Sequence, residues 1–346
     1  LANALQAAVS EQGVAHVGLP ADLQTMEAVN GPIRPQGHMN WSQAVAGDES
    51  IRQAARLLAG ASRPLILAGS GAPGAREALL EAAHRLGAPV LTTCRSKGLF
   101  PASEPLSMGI PGRFGTPWAD QLLREADTIL VVGSSLSQFT TGDWRLIQPR
   151  QQIIQVDTNR AHIGRHFAVQ VGLWGDAGPT LRRLVALLPE GPSANEWGDL
   201  QGGKLGFLAQ LSQKATAETT PIKPQFLVRT LQETLPADAV ITLDTGDHAL
   251  FMCQQYEPKG QEKFVSSYHL GSTGYALPAA IAGALAYPER TTVAVVGDGG
   301  LAASLGELIT MTALNLPITV VCFNNARLGM INSEEERMNM PPFFTE

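Results

Sequence analysis

Short apolar runs alternate with amphipathic segments along most of the chain, and the clearest example is the stretch 291–330. Residues 291–296 form an unbroken run of β-branched and apolar residues, which is typical of a strand covered on both faces of a parallel sheet. Apolar residues then recur at helical spacing over 301–314, and a second unbroken run covers 318–323. The pattern predicts a β-α-β unit whose two strands run parallel.

The same alternation appears twice, and it predicts a fold class for the whole chain. Between 49 and 188, predicted helices lie at 51–58, 75–86, 119–126 and 179–188, and predicted strands at 64–68, 89–93, 128–132 and 152–157. After 221, a helix at 224–235, a strand at 239–243 and an Ala-rich helix ending at 286 precede the unit described above. We therefore expect an α/β protein with two doubly wound, mainly parallel-sheet domains.

Composition fits a compact soluble protein and argues against several other classes. Hydrophobic residues make up 44% and charged residues 16% of the 346 positions, which is unlike a disordered chain. The net charge of −6 and the lack of a Lys/Arg cluster argue against nucleic acid binding. No run is long enough for a membrane span, and no signal peptide is recognisable, so a cytoplasmic location is expected. Cys94, Cys253 and Cys322 lack metal-ligand spacing, and we expect buried thiols in a reducing compartment.

Polar residues follow both strands of the 291–330 unit. Asp298 lies in Gly297-Asp298-Gly299-Gly300 after the first strand, and Asn325 follows the second. Parallel strands end at the same edge of a sheet, where open α/β sheets bind ligands. A carboxylate, an amide oxygen and a main-chain carbonyl suit Mg²⁺ when phosphate oxygens complete its coordination. The pattern indicates a metal-held diphosphate, although either strand end alone would also be typical of an ordinary turn.

The two strand ends together resemble a known motif. Twenty-four residues separate Gly299 from Asn324, and the second segment reads NNARLGM. This pairing resembles the cofactor motif of thiamine diphosphate (ThDP) enzymes, most closely the branch that contains pyruvate oxidases and acetolactate synthases. The resemblance implies ThDP and Mg²⁺ as cofactors. It also implies that the side chains of Asp298 and Asn325 and the main-chain oxygen of Arg327 are the metal ligands.

Two further segments resemble cofactor contacts of the same family. A Gly-x-His at Gly246 and His248 follows the strand at 239–243, and the family's Gly-x-His contacts the diphosphate. The segment beginning Gly271-Ser272-Thr273 resembles the one that contacts the aminopyrimidine, but Thr273 stands where the family has a bulky apolar wedge. The implied cofactor-binding residues are Gly246, Asp247, His248, Gly271, Ser272, Thr273, Gly297, Asp298, Gly299, Gly300, Asn325, Arg327, Leu328, Gly329 and Met330.

Small residues also follow several strands between 49 and 188. Such turns can hold a dinucleotide, but tight β-α turns require small residues in any case. The segments LILAGSGA, SKGLFP, VVGSSL and IIQVD resemble the central domain of the same ThDP branch, whose members carry FAD, ADP or no nucleotide. Asn159 replaces the second Asp of the family's VDxDP. Candidate FAD or nucleotide contacts are Gly69, Ser70, Gly71, Thr92, Thr93, Gly133, Ser134 and Asp157.

The resemblance also divides the chain. It implies the tail of an N-terminal pyrimidine-binding domain at 1–25, a linker at 26–48, a central domain at 49–188, a linker at 189–220, and a ThDP-binding domain at 221–346 truncated at its C-terminal end. In the family, the glutamate that activates the cofactor belongs to the N-terminal domain, usually of the partner subunit. No catalytic residue is therefore expected within this chain, which alone should be inactive, and a homodimer or homotetramer is expected.

The implied reaction is the decarboxylation of pyruvate or a similar small 2-oxo acid. The carbanion-enamine would then be transferred, as in acetolactate synthase, a transferase, or oxidised through FAD, as in pyruvate oxidase, a flavoprotein oxidoreductase. The alternative is a non-catalytic nucleotide-binding or regulatory relative, or an inactive fragment. Met330, Ile331 and Glu334 lie in the segment that borders the substrate in relatives, but the charged run 334–337 is more typical of a solvated helix face.

Overall fold

The computed structural model describes residues 2–10, 13–27, 43–191, 195–216 and 219–345. Its contacts divide the chain into two compact units, Leu1–Ala44 and Val45–Glu346. The first unit contains the helix α1 (Ala2–Ser10) and one 3-10 turn. Residues 14–20 of this unit form neither helix nor strand.

The second unit starts with a five-stranded parallel sheet in the order β2-β1-β3-β4-β5. Its strands are β1 (Pro64–Ala68), β2 (Val90–Thr92), β3 (Thr128–Val132), β4 (Gln152–Asp157) and β5 (Val171–Trp174). Every residue of the neighbouring strands β1, β2 and β3 is buried. The edge strand β5 alternates buried and exposed residues, which is why no unbroken apolar run marked it.

Helices cover both faces of this sheet. They are α2 (Asp48–Ala59), α3 (Arg76–Leu86), α4 (Pro117–Glu125) and α5 (Ala177–Val185). Leu58, Leu79 and Leu181 pack in one apolar layer, and Leu122 packs in the layer on the opposite side. Because helices shield both faces of the sheet from water, its inner strands are mostly apolar. Each helix covers one face, and α3 and α4 each connect two strands, which produces the alternation of helices and strands along the chain.

A 15-residue helix, α6 (Leu200–Lys214), lies within the segment expected to be a linker. The Asp199 carboxylate caps its first turn by accepting the Gly202 amide at 2.8 Å. A Cβ at Gly203 would lie 2.5 Å from the indole of Trp118, so the missing side chain lets α6 approach α4 closely. Gly203 and the other glycines of α6 lower its helix propensity, which is why the sequence did not indicate a helix here.

A second parallel sheet follows, with four strands in the order β7-β6-β8-β9. The strands are β6 (Val240–Leu243), β7 (Lys263–Ser266), β8 (Thr292–Gly297) and β9 (Ile318–Phe323). The helices of this part are α7 (Pro224–Thr234), α8 (Asp247–Gln255), α9 (Ala276–Ala286), α10 (Asp298–Ala303), α11 (Glu307–Ala313) and α12 (Gly329–Arg337). Two parallel sheets with flanking helices confirm the fold class predicted from the sequence.

The single helix expected at 301–314 is interrupted and forms α10 and α11. The Ser304 hydroxyl donates to the Gly300 carbonyl at 3.1 Å, and Gly306 precedes α11. Side-chain hydrogen bonds to the backbone and glycine both weaken a helix interior, and they break the helix here. The helical spacing of apolar residues continues across the break and therefore does not reveal it.

Candidate cofactor site

The carboxyl ends of β6, β8 and β9 meet at one edge of the second sheet. Because Gly297 pairs with Phe323, Asp298 and Asn324 continue from neighbouring strands. Asp298 begins α10. The β-α-β pattern predicts this juxtaposition, and the parallel pairing of β8 with β9 produces it.

Asp247 and Asn325 converge on the start of α12. A Cβ at Gly329 would lie 2.2 Å from Asp247 Oδ2 and 2.7 Å from Asn325 Nδ2, so both side chains lie against the Gly329 backbone. Burial raises the pKa of the Asp247 carboxyl, and the charge of Arg327 opposes that shift. A cation bound beside Asp247 would favour its charged form.

The turn after β9 holds the other implied metal ligands. The Arg327 amide donates to Asn325 Oδ1 at 3.3 Å, and the Ala326 amide donates to Asn324 Oδ1 at 3.0 Å. Ala326 adopts a left-handed φ of 54°. Among the described residues, no group of three His, Cys, Asp or Glu side chains could hold a metal. The implied ligand set has only one such side chain, the Asp298 carboxylate, and its other ligands are an amide oxygen and a main-chain oxygen. The metal site therefore stays a prediction.

His248 supplies a buried polar atom that has no protein partner. Its side chain is 5% exposed, and its Nε2 has no hydrogen-bond partner among the described residues. A Cβ at Gly297 would lie 3.2 Å from His248 Nδ1, which puts the ring beneath the end of β8. Burial lowers the pKa of His248 to about 4, despite the opposing charges of Asp244 and Asp298. A neutral imidazole that needs one partner fits a phosphate oxygen at this position.

This pKa predicts an acid-sensitive fold. The His248 pKa is about 4 in the folded chain and 6.5 ordinarily, so stability should fall as pH drops through this window. At pH 5 the loss should be about 2 kcal/mol relative to pH 7.5. Urea unfolding of the metal-free protein should show that His248→Gln shrinks the difference between these pH values by about that amount.

The exposed His166 provides the matched control for this measurement. His166→Gln should leave the pH difference in unfolding free energy unchanged. Equal pH dependence in the His248 variant and the unmodified protein would contradict a buried neutral imidazole.

Asp244 fixes the loop that carries Thr273. Its fully buried carboxylate accepts the Thr245 amide at 2.7 Å and the Gly274 amide at 3.0 Å. The Thr245 hydroxyl donates to the Ser272 carbonyl at 3.3 Å. Gly274 has a φ of 84°, in the left-handed region, while Thr273 is exposed at the edge of the sheet. Asp244 was not among the predicted site residues, although an acidic residue directly after the β-branched and apolar run 239–243 was a usable signal.

The remaining implied contacts line the same edge. A Cβ at Gly299 would lie 2.8 Å from Leu328 Cδ2, and Met330 packs against an apolar cluster containing Ile110 and Phe114. The edge thus gathers the start of α8, the loop after β7, the β8–α10 turn and the β9–α12 turn. The implied residues in these four segments are Gly246–His248, Gly271–Thr273, Gly297–Gly300, Asn325 and Arg327–Met330.

The candidate nucleotide residues lie along the carboxyl edge of the first sheet, but protein packing already accounts for them. A Cβ at Gly69 would lie 2.2 Å from the Gly133 carbonyl oxygen, and a Cβ at Gly133 would lie 2.4 Å from Gly71 Cα. Adjacent turns therefore require these glycines without any ligand.

The polar members of this nucleotide set are also engaged within the protein. Asp157 accepts the Asn159 amide at 2.8 Å and faces His162 Nδ1 at 3.3 Å. The Thr93 hydroxyl contacts Ser96 Oγ at 3.2 Å. The remaining positions, Ser70, Thr92 and Ser134, also lie at or just beyond the ends of β1, β2 and β3. An FAD or ADP site stays a prediction.

Two expectations about individual side chains are wrong. Cys322 is exposed on the edge strand β9, whereas Cys253 is buried and Cys94 is half-buried beside it. Glu334 is half-buried rather than solvated, and it forms ion pairs with Arg113 and Arg337. Edge-strand position and contacts between distant segments decide these exposures, and neither is visible in a local charge pattern.

Membrane insertion of a helix finds no support in the described parts of the chain, where every helix is too short or too polar to cross a bilayer.

The two sheets, with polar groups gathered at a glycine-lined carboxyl edge, define an α/β protein of the diphosphate-binding kind. Family models confirm this class. Residues 51–184 match the thiamine pyrophosphate enzyme central domain, and residues 244–346 match the thiamine pyrophosphate enzyme C-terminal TPP binding domain. The chain belongs to the thiamine pyrophosphate enzyme family.

Individual relatives agree with the family assignment. The chain is 32% identical to a probable acetolactate synthase large subunit of Methanocaldococcus jannaschii, covering 94% of this chain and 57% of the relative. It is 32% identical to the putative thiamine pyrophosphate-containing protein YdaP of Bacillus subtilis, covering 97% of this chain and 58% of that protein. It is 28% identical to the acetolactate synthase isozyme 1 large subunit of Escherichia coli, covering 93% of this chain and 57% of that subunit. The chain thus spans about half the length of the curated relatives it matches.

Proposed function

We propose that this chain supplies the central and ThDP-binding parts of an enzyme that decarboxylates pyruvate or a similar 2-oxo acid and transfers the remaining acyl unit to a second 2-oxo acid. The observation that carries the proposal is the buried His248 imidazole, whose Nε2 has no partner among the described residues, at the sheet edge that also carries Asp298 and Asn325. Relatives named acetolactate synthase favour carboligation over oxidation.

The residues at this edge fit the cofactor. Asp298, Asn325 and the Arg327 carbonyl would hold Mg²⁺, and the neutral His248 would donate a hydrogen bond to the diphosphate. When bound, ThDP supplies the electron sink that decarboxylation of a 2-oxo acid requires.

The protein supplies orientation and a dry environment. Asp244 holds the 271–275 loop against β6, which fixes where Thr273 presents its main chain. Ile110, Phe114 and Met330 form an apolar wall next to α8 that would exclude water from the reacting groups.

The proposal includes the assembly and the boundaries of the parts. We assign 49–188 to the central domain, 221–346 to the ThDP-binding domain, 1–25 to the pyrimidine-binding domain, and 26–48 and 189–220 to the connections. The activating glutamate would come from that pyrimidine-binding domain, in a cytoplasmic homodimer or homotetramer.

The full-length protein with ThDP and Mg²⁺ should convert pyruvate to acetolactate, with one CO₂ released for each acetolactate formed. Colorimetric acetolactate assay and CO₂ release test this together, and the visible spectrum recorded anaerobically identifies any flavin. CO₂ release without acetolactate, accompanied by bleaching of a flavin band, would instead identify an oxidase. No CO₂ release from pyruvate or 2-oxobutyrate would contradict the enzyme proposal.

One observation favours the second candidate, a non-catalytic relative. Thr273 is exposed and offers a small polar side chain at the position where the family has a bulky wedge. Thr273→Met or Thr273→Leu should raise turnover if a larger wedge improves cofactor geometry. A relative without catalytic function would bind ThDP and show no turnover with either substitution.

A further inference from the structure

Arg113 occupies the tip of a closed loop beside the proposed active site. The Thr116 amide donates to the Ile110 carbonyl at 3.0 Å, and the Arg113 amide donates to the Phe139 carbonyl at 2.8 Å. Ile110 and Phe114 from this loop share an apolar cluster with Met330. The loop is therefore held in place, and it presents Arg113 toward α12.

The Arg113 guanidinium meets a carboxylate from α12. Glu334 Oε1 forms an ion pair with Arg113 Nη2, and both side chains are about three-quarters buried. Met330 and Glu334 are four residues apart on one helix, so they share a face. That face runs from the proposed cofactor site at the start of α12 to Arg113.

Glu334 does not depend on Arg113 for a partner. Its other oxygen, Oε2, accepts from Arg337 Nε at 3.1 Å and from Arg337 Nη2 at 2.9 Å. Arg113, in contrast, stacks on the Phe139 ring at 4.9 Å and has no second carboxylate partner among the described residues. Glu334 can therefore leave Arg113 and remain paired, which lowers the cost of exchange.

The surrounding charges favour one additional anion. Asp143 pairs with Arg145 at 2.9 Å and with Arg337 at 3.6 Å. The connected set contains three arginines and two carboxylates, which leaves one excess positive charge. A small carboxylate entering beside Arg113 would neutralise this charge.

We propose that Arg113 binds the carboxylate of the 2-oxo acid substrate, and that this carboxylate exchanges with Glu334 at the guanidinium. This assignment rests on the proposed function. The planar guanidinium can grip a carboxylate through two parallel hydrogen bonds, whereas a neutral carbonyl compound offers no such acceptor pair. Arg113 is then a specificity-determining residue for small 2-oxo monocarboxylates over their neutral analogues.

Oxamate, an unreactive 2-oxo acid isostere, tests the site by calorimetry on the full-length protein loaded with ThDP and Mg²⁺. Arg113→Met should weaken oxamate binding and raise the KM for pyruvate by about tenfold or more, with a smaller effect on kcat. Affinity for the neutral methyl pyruvate should stay within about twofold, because it makes no ion pair. Glu334→Gln should tighten oxamate binding several-fold, since an amide competes less for the guanidinium.

Arg145→Met is the matched control, because Arg145 contacts Asp143 in the same set but does not contact Glu334. It should weaken oxamate binding far less than Arg113→Met does, because Arg145 is 72% exposed and solvent screens its share of the excess charge. Arg113→Lys keeps the charge without the planar fork and should show an intermediate loss, which tests the assignment even where Arg113→Met fails to fold.

The outcomes separate the binding site from the reaction. Oxamate binding that is undetectable in the unmodified protein, or equal in Arg113→Met, overturns the assignment. Equal losses for pyruvate and methyl pyruvate also overturn it, because they show that Arg113 only maintains structure. Oxamate binding through Arg113 without any pyruvate turnover supports the carboxylate site and contradicts the proposed reaction.

Discussion

Asp298→Ala should lower the Mg²⁺-dependent affinity of the full-length protein for ThDP by roughly a hundredfold or more. Asp298 begins α10 where β8 ends, and it is the single carboxylate in the proposed metal set. Without it, the remaining amide and main-chain oxygens carry no charge, and they cannot offset the cost of partly dehydrating Mg²⁺. Calorimetric titration of ThDP at several Mg²⁺ concentrations measures the effect directly.

Glu307→Ala is the matched control for this substitution. Glu307 also lies in the first turn of a helix, α11, but away from the meeting point of β8 and β9. It should not change ThDP affinity. An Asp298→Ala protein that binds ThDP with unchanged Mg²⁺ dependence would remove Asp298 from the metal site.

Asn325→Leu tests the second strand end, because it removes an oxygen ligand without changing the charge. The neighbouring Asn324→Leu serves as its control, since both side chains accept an amide two residues ahead in the same turn. ThDP affinity should fall in the Asn325 variant and persist in the Asn324 variant. Equal losses in both would show that the turn geometry matters and that the Asn325 side chain does not reach the metal.

Asp244→Ala should have a similarly large effect on stability and reduce the free energy of unfolding by about 2–5 kcal/mol. The carboxylate is fully buried and accepts the amides of Thr245 and Gly274. Alanine leaves these buried donors without an acceptor, and each such loss costs about 1–3 kcal/mol. Urea unfolding measured at pH 7.5 gives the difference.

The substitution should also weaken ThDP binding, because the 271–275 loop loses its attachment to β6. Asp244→Asn retains one acceptor and should fall between alanine and the unmodified protein. Asp238→Ala, just before β6, should change stability by less than about 0.5 kcal/mol. An Asp244→Ala protein as stable as the Asp238 variant would contradict the role of these hydrogen bonds.

The central strands were predictable because strands that are buried on both faces are rich in apolar residues and show no polar alternation. The observed bounds of the central strands β1, β3 and β4 match the predicted ranges at both ends, and so do those of the edge strand β9, whose residues are β-branched or apolar although it is partly exposed. The edge strands β5 and β7 were not predicted, because partly exposed strands mix polar and apolar residues. Helix α6 was hidden by its glycines, of which Gly203 packs against Trp118.

The chain order of β8, α10, α11 and β9 determined by itself that Asp298 and Asn325 end at one edge, because a right-handed crossover leaves parallel strands pointing the same way. The sequence also determined the glycine turns and the family. Tertiary structure alone decided that Asp244 fixes the 271–275 loop, that His248 is buried with one unpaired nitrogen, and that Arg113 meets Glu334 across more than two hundred residues. Local patterns encode periodicity and turn chemistry, whereas the pKa and the partner of a side chain depend on segments that only folding brings together.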